Sequence, residues 1–124
     1  MTEEEFAAGA AAAARIYPQV RLLPCSGTLR PLRVAPVPIP REFWGGGETR
    51  ALIIFDLANH ASTRPRGLLG PEWRLPNGAR PYNASNVFEY GEAWQAYSWA
   101  FRWPPALDVT ATIEAYLGRF SDYR

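Results

Sequence analysis

The run "TRALIIFDL" at Thr49–Leu57 constrains this chain most. Its centre is apolar without alternation, so neither face of a strand built from it can meet water. A sheet that holds such a strand needs cover on both sides. The flanking sequence limits how the sheet grows. Residues 19–41 carry Pro24, Pro31, Pro36, Pro38 and Pro40. Proline brings no N–H to a ladder, which predicts edge strands or extended connections there. "VRLLPC" and "LRVAPVPI" are the two strand candidates in that region. "GGG" at Gly45–Gly47 reads as a turn. Residues 58–86 hold Asn, Ser, Pro and Gly around "GLLGPEW", which predicts a long loop with one short strand.

Helices bracket this region. "TEEEF" opens the first: Thr2 caps it, Glu5 completes a capping box, alanines propagate it and Pro18 stops it. Gly9 reads as a modest cost. Phe6, Ile16 and Tyr17 are its only large apolar residues, which predicts a surface helix. "DVTATIEAYLGRF" is the second helix. Asp108 caps it, and Val109, Ile113, Tyr116, Leu117 and Phe120 form one apolar stripe. Before it, "GEAWQAYSWAFRW" is dense in aromatic residues and "WPP" breaks the chain. In that segment Trp94, Tyr97, Trp99 and Phe101 divide between sheet cover and a partner surface. No repeat or linker interrupts the 124 residues, so one α+β domain spans 1–124. Its expected plan is an N-terminal helix, an antiparallel meander of about four strands, a long loop, and a C-terminal helix packed on the sheet.

Composition narrows the function classes. The net charge is +1, which gives no electrostatic case for nucleic acid or an anionic membrane. The Ala-rich segment before Arg15 is too short and too weakly apolar to span a bilayer, and its front end is acidic, unlike a signal peptide. A cytoplasmic protein is the default expectation. A single cysteine, Cys25, excludes an internal disulfide and a multi-cysteine zinc site, and a buried structural role is expected for it. Nothing in the sequence calls for a metal or cofactor. All 13 basic residues are arginine. A GC-rich genome explains that, and so does work beside chemistry that modifies lysine amines.

Four stretches, in order, resemble the ubiquitin-conjugating (E2, UBC-like) family, and more closely the diverged bacterial E2-like proteins of ubiquitination-like operons linked to phage defence. "FWGGGETRALIIFDL" resembles the family's aromatic-x-Gly-Gly turn and central strand. "LANHASTRPR" stands at its "FP…YP…PP" segment. Leu75-Pro76-Asn77 stands at its His-Pro-Asn. "WPPAL" at Trp103–Leu107 resembles its Trp-x-Pro. The match covers roughly residues 43–120. In the family a nucleophilic cysteine follows the asparagine by about eight residues, and Ser85 stands there. The resemblance therefore implies a conjugating acyltransferase. It would take a ubiquitin-like protein from an E1-like adenylating enzyme as an oxyester on Ser85, with Asn77 supporting the oxyanion.

Each of these residues has a second reading. Asn77-Gly78 is also a strong turn signal. The chain departs from the family at Leu75, in the length of the segment from Ser85 to Trp103, and in having one helix after Trp103. That length makes Ser98 the rival nucleophile. Serine needs a base or strict geometry, and the motif supplies neither. His60, the one histidine, lies in the preceding loop, where a structural role is the ordinary one. Asp108 is accounted for as a cap. The alternative function is a catalytically inactive E2-variant module that binds a ubiquitin-like protein or partner enzyme. A third is an unrelated small α+β interaction protein.

Overall fold

The computed structural model describes residues 1–81, 84–97 and 108–121, without the Tyr97 side chain. It is an α+β arrangement of two helices and one antiparallel sheet. The elements run α1 (Glu3–Ile16), β1 (Arg21–Leu22), β2 (Leu29–Pro38), β3 (Glu48–Asp56), β4 (Arg66–Leu69), β5 (Ala84–Glu89), β6 (Glu92–Tyr97) and α2 (Val109–Ser121). The sheet has six strands in the order β1-β2-β3-β4-β6-β5, not the four or so expected. The first four form a meander. The β5–β6 hairpin extends it beyond β4.

The central strand behaves as its sequence dictates. Residues Ala51–Phe55 of β3 are buried, and they alternate between two separate clusters. Ala51, Ile53 and Phe55 face the main core with Phe6 and Ala13 of α1 and Val109, Ile113, Tyr116 and Phe120 of α2. Leu52 and Ile54 point to the other face, with Leu23, Leu68 and Trp94. Both helices therefore cover one face, and a smaller apolar patch covers part of the other.

Both helix caps form as read. Thr2 Oγ1 accepts from the Glu5 N–H at 3.0 Å, and Glu5 Oε1 accepts from the Thr2 N–H at 3.1 Å. Asp108 Oδ1 accepts from the Ala111 N–H at 2.7 Å. The first helix is more than a surface helix. Phe6 and Ala13 are buried, the Phe6 ring meets Phe55 edge-on at 5.5 Å, and only Ile16 of the expected apolar set is left exposed. Gly9 is the crossing point: a Cβ there would lie 2.6 Å from Val109 Cβ. What reads as a defect in helix propensity is the close approach of α1 to α2.

The prolines of β2 are tolerated because most of this strand is an edge in practice. β1 pairs only with Leu32 and Arg33. Pro36 follows a cis peptide bond in an irregularity where the register with β3 shifts between Val34 and Val37. β2 is formally interior, yet it offers proline the positions that an edge offers.

The long loop expected over residues 58–86 is interrupted twice. β4 occupies Arg66–Leu69, and β5 begins at Ala84. β4 forms because Leu68 and Leu69 are both fully buried, one in each apolar cluster.

Candidate functional site

Ser85 lies within β5, where Ala96 of β6 is its cross-strand partner. It is exposed. This corrects the expectation of a nucleophile on a long loop: the residue sits in a hairpin strand. The ladder fixes its face. Arg21, Arg33, Leu52, Leu68, Ala96 and Ser85 are successive partners across all six strands. Directly opposed residues of antiparallel strands share a face, so Ser85 stands on the face away from the helices. Ala96 offers it neither acid nor base.

Asn77 is exposed and its carboxamide oxygen is occupied. Asn77 Oδ1 accepts from the Ala79 N–H at 2.9 Å. The Gly78 N–H donates to the Leu75 carbonyl at 2.8 Å, and the Leu75 N–H donates to the Ala79 carbonyl at 2.9 Å. These bonds make a compact Asx-type turn. Gly78 has φ of +83° and lies against the Trp44 indole, 3.1 Å from where a Cβ would reach it. Trp44 is 57% exposed. The turn reading of "PNG" accounts for every one of these contacts. No hydrogen bond joins Asn77 to Ser85 among the described residues. Ser98 and Trp103 lie outside the described residues.

His60 is 5% exposed, with its ring centroid 6.1 Å from that of Phe55 on the helix side of the sheet. It belongs to the core, on the opposite face from Ser85. Cys25 is exposed, not buried as expected, and its Sγ lies 3.5 Å from the Leu23 carbonyl. The short β1 accounts for this, since Leu23 makes a last ladder bond, its N–H to the Pro31 carbonyl at 2.9 Å, and Cys25 lies beyond it, outside both apolar clusters. Among the described residues no three His, Cys, Asp or Glu side chains gather as a metal site, and no helix is long and apolar enough to cross a membrane.

Sequence reasoning did not find the polar network on the Ser85 face. Arg33 forks onto Glu92, Nε to Oε2 at 2.9 Å and Nη2 to Oε1 at 3.0 Å. Arg50 forms ion pairs with Glu92 at 3.1 Å and Glu72 at 3.1 Å. Its Nη2 also donates to the Ala93 carbonyl at 2.5 Å, and its guanidinium lies 4.8 Å from the centroid of the Trp94 ring. The Arg33 guanidinium, with Arg50 and Arg21 beyond it, holds the Glu92 carboxyl below its usual range. An open groove of about 240 Å³ runs beside this network, lined by Arg33, Arg50, Glu48, Glu72, Gln19 and Pro36. Its two guanidiniums are already neutralised by Glu92 and Glu72, so it presents no spare positive charge to an anion. The partners come from β2, β3, β6 and the turn after β4. No local spacing rule links them, and only the sheet register does.

No protein-family model, no curated protein and no solved structure matches this chain.

Proposed function

We propose that this chain is an E2-like binding module that holds a ubiquitin-like protein or a partner enzyme without carrying the acyl group itself. One observation carries the reading: Ser85 is part of the regular β5–β6 ladder opposite Ala96. A hydroxyl is a weak nucleophile unless a neighbouring base takes its proton or donors await the developing oxyanion. At Ser85 the cross-strand neighbour is a methyl group. The Asn77 carboxamide oxygen, in turn, is committed to its own turn. The order of N-terminal helix, antiparallel meander and C-terminal helix supports the E2-like part of the proposal, together with the motifs that flank it. The absence of lysine fits a protein that works beside amine-modifying chemistry without being modified on its own side chains.

The exposure of Ser85 favours a second reading, in which it accepts the modifier as an oxyester. One experiment separates the two. The chain is incubated with an E1-like adenylating enzyme, ATP and a ubiquitin-like protein encoded beside it. A non-covalent complex with no alkali-labile adduct is the expected result. An adduct that disappears in Ser85→Ala would replace the binding-module reading with the oxyester one. Absence of both complex and adduct would remove both.

A further inference from the structure

We propose that β5 is a self-association edge, through which two copies of this chain pair antiparallel about a twofold axis at Val87. Among the described residues, β5 is the last strand of the sheet. Its outward-facing groups follow from the hairpin turn. Tyr90 and Gly91 form the whole loop, with φ of +53° and +77°. This is the two-residue turn with both central residues left-handed, so the closing pair Glu89 and Glu92 exchange both backbone hydrogen bonds. Pairing alternates from there. Val87–Trp94 and Ser85–Ala96 bond inward across the hairpin. Phe88–Ala93 and Asn86–Gln95 do not. The N–H and C=O of Asn86 and Phe88 therefore point away from β6. Two contacts agree with this alternation. The Ala93 carbonyl, turned away from β5, receives Arg50. The Ala84 N–H, turned away from β6, donates to the Pro81 carbonyl at 3.1 Å.

Such an edge templates another strand unless it is short, charged or broken by proline. "ASNVFE" is none of these; its single charge stands at the end. A second copy fits it in one register. With Val87 opposite Val87 of the second copy, Asn86 pairs with Phe88 of that copy in both directions. The four outward groups of Asn86 and Phe88 on each side are then satisfied. On one face, Glu89 stands opposite Ser85 of the second copy, and its carboxylate is already paired with Arg66 of its own chain, so no like charges are opposed. On the other, the two Phe88 rings become diagonal neighbours across the axis, within reach of each other. Phe88 is 73% exposed in the single chain, more than any other large apolar side chain described. This isologous closure consumes the edge and leaves no growing end there. The inference does not rest on the proposed function.

Sedimentation equilibrium of the full chain from micromolar to millimolar concentration tests it. The expected mass rises from 13.9 kDa toward twice that value. Asn86→Pro removes an outward donor and no hydrogen bond of the hairpin, so a variant that keeps its circular dichroism should stay monomeric. Register is tested in a Cys25→Ser background. Val87→Cys places two thiols at a non-hydrogen-bonded pair, with Cα atoms about 4.5 Å apart, inside the range of roughly 4.4–6.8 Å that a disulfide spans. It should form a covalent dimer on oxidation, and Ser85→Cys should not. A constant monomer mass, a folded Asn86→Pro dimer, or crosslinking through residue 85 in place of 87 would each overturn the proposal.

Discussion

Two glycines show how a single residue can be misjudged from its neighbours in sequence. Gly9 sits mid-helix, where alanine is ordinarily better by about 1 kcal/mol. Here Val109 occupies the space a Cβ needs, 2.6 Å away. Gly67 of β4 is tighter still: its Cβ would lie 2.4 Å from Tyr116 Cε1. The Tyr116 ring crosses the sheet at the one β4 position without a side chain. We expect Gly9→Ala to destabilise the fold by about 1–3 kcal/mol, reversing the sign that helix propensity alone would give. Gly67→Ala should cost at least as much. Urea denaturation measures both, and a stabilised Gly9→Ala would mean that the helices do not cross there. Ser85→Ala should change stability by less than about 0.5 kcal/mol, because the side chain is exposed. That leaves it a clean probe of adduct formation.

At the scale of elements, legibility tracked burial. β3 announces itself because both of its faces are covered, and both helices because their caps and apolar stripes are local. The β5–β6 hairpin was unreadable for a physical reason. β5 buries none of its residues fully, so "ASNVFE" shows no apolar alternation, and its turn is Tyr-Gly rather than Asn-Gly. Motif spacing puts Ser85 eight residues after Asn77 but carries no information about strand pairing, so it does not show that Ser85 stands in β5. The Arg33–Glu92–Arg50 network was invisible for the same reason. The turn also carries a measurable cost. Tyr90 holds φ of +53°, a left-handed conformation in which a non-glycine side chain costs roughly 1–2 kcal/mol and asparagine less. Tyr90→Asn should therefore stabilise the fold by about 0.5–1 kcal/mol. A thermal melt checks this, and a lowered midpoint would show that the exposed ring makes a contact worth more than the strain. Glu92→Gln should act in the opposite direction. It leaves Arg33 and Arg50 without their shared carboxylate, at a cost of about 1–2 kcal/mol.

For the whole molecule, composition and burial together define how stability should depend on pH. On the acid side, Glu92, Asp56 and Glu5 have carboxyls held below their ordinary values. The causes are the Arg33 guanidinium, the Asn59 and Thr28 side chains, and the Thr2 cap respectively. A depressed carboxyl stabilises the fold above its unfolded value, here 4.5 or 3.8, and that stability is lost as pH falls through the folded value. On the alkaline side the usual agent is missing. Lysine ion pairs ordinarily fail near pH 10.4, but this chain has arginine at all 13 basic positions, and arginine stays charged. The alkaline limb therefore belongs to buried phenols. Burial pushes Tyr116 up to about 12 and raises Tyr17 above 10.0. A raised tyrosine favours the fold fully below its unfolded value, and that contribution disappears as pH rises through the folded one. Stability from these five groups should thus be level between about pH 5 and 10. It should fall below that window as carboxylates protonate, and above it as Tyr116 is forced to ionise in the core. Tyr116→Phe should move the alkaline unfolding midpoint upward and leave the acid limb in place. Urea midpoints measured across pH check both limbs. An alkaline limb unchanged by Tyr116→Phe would assign the loss to another group and remove Tyr116 from the account.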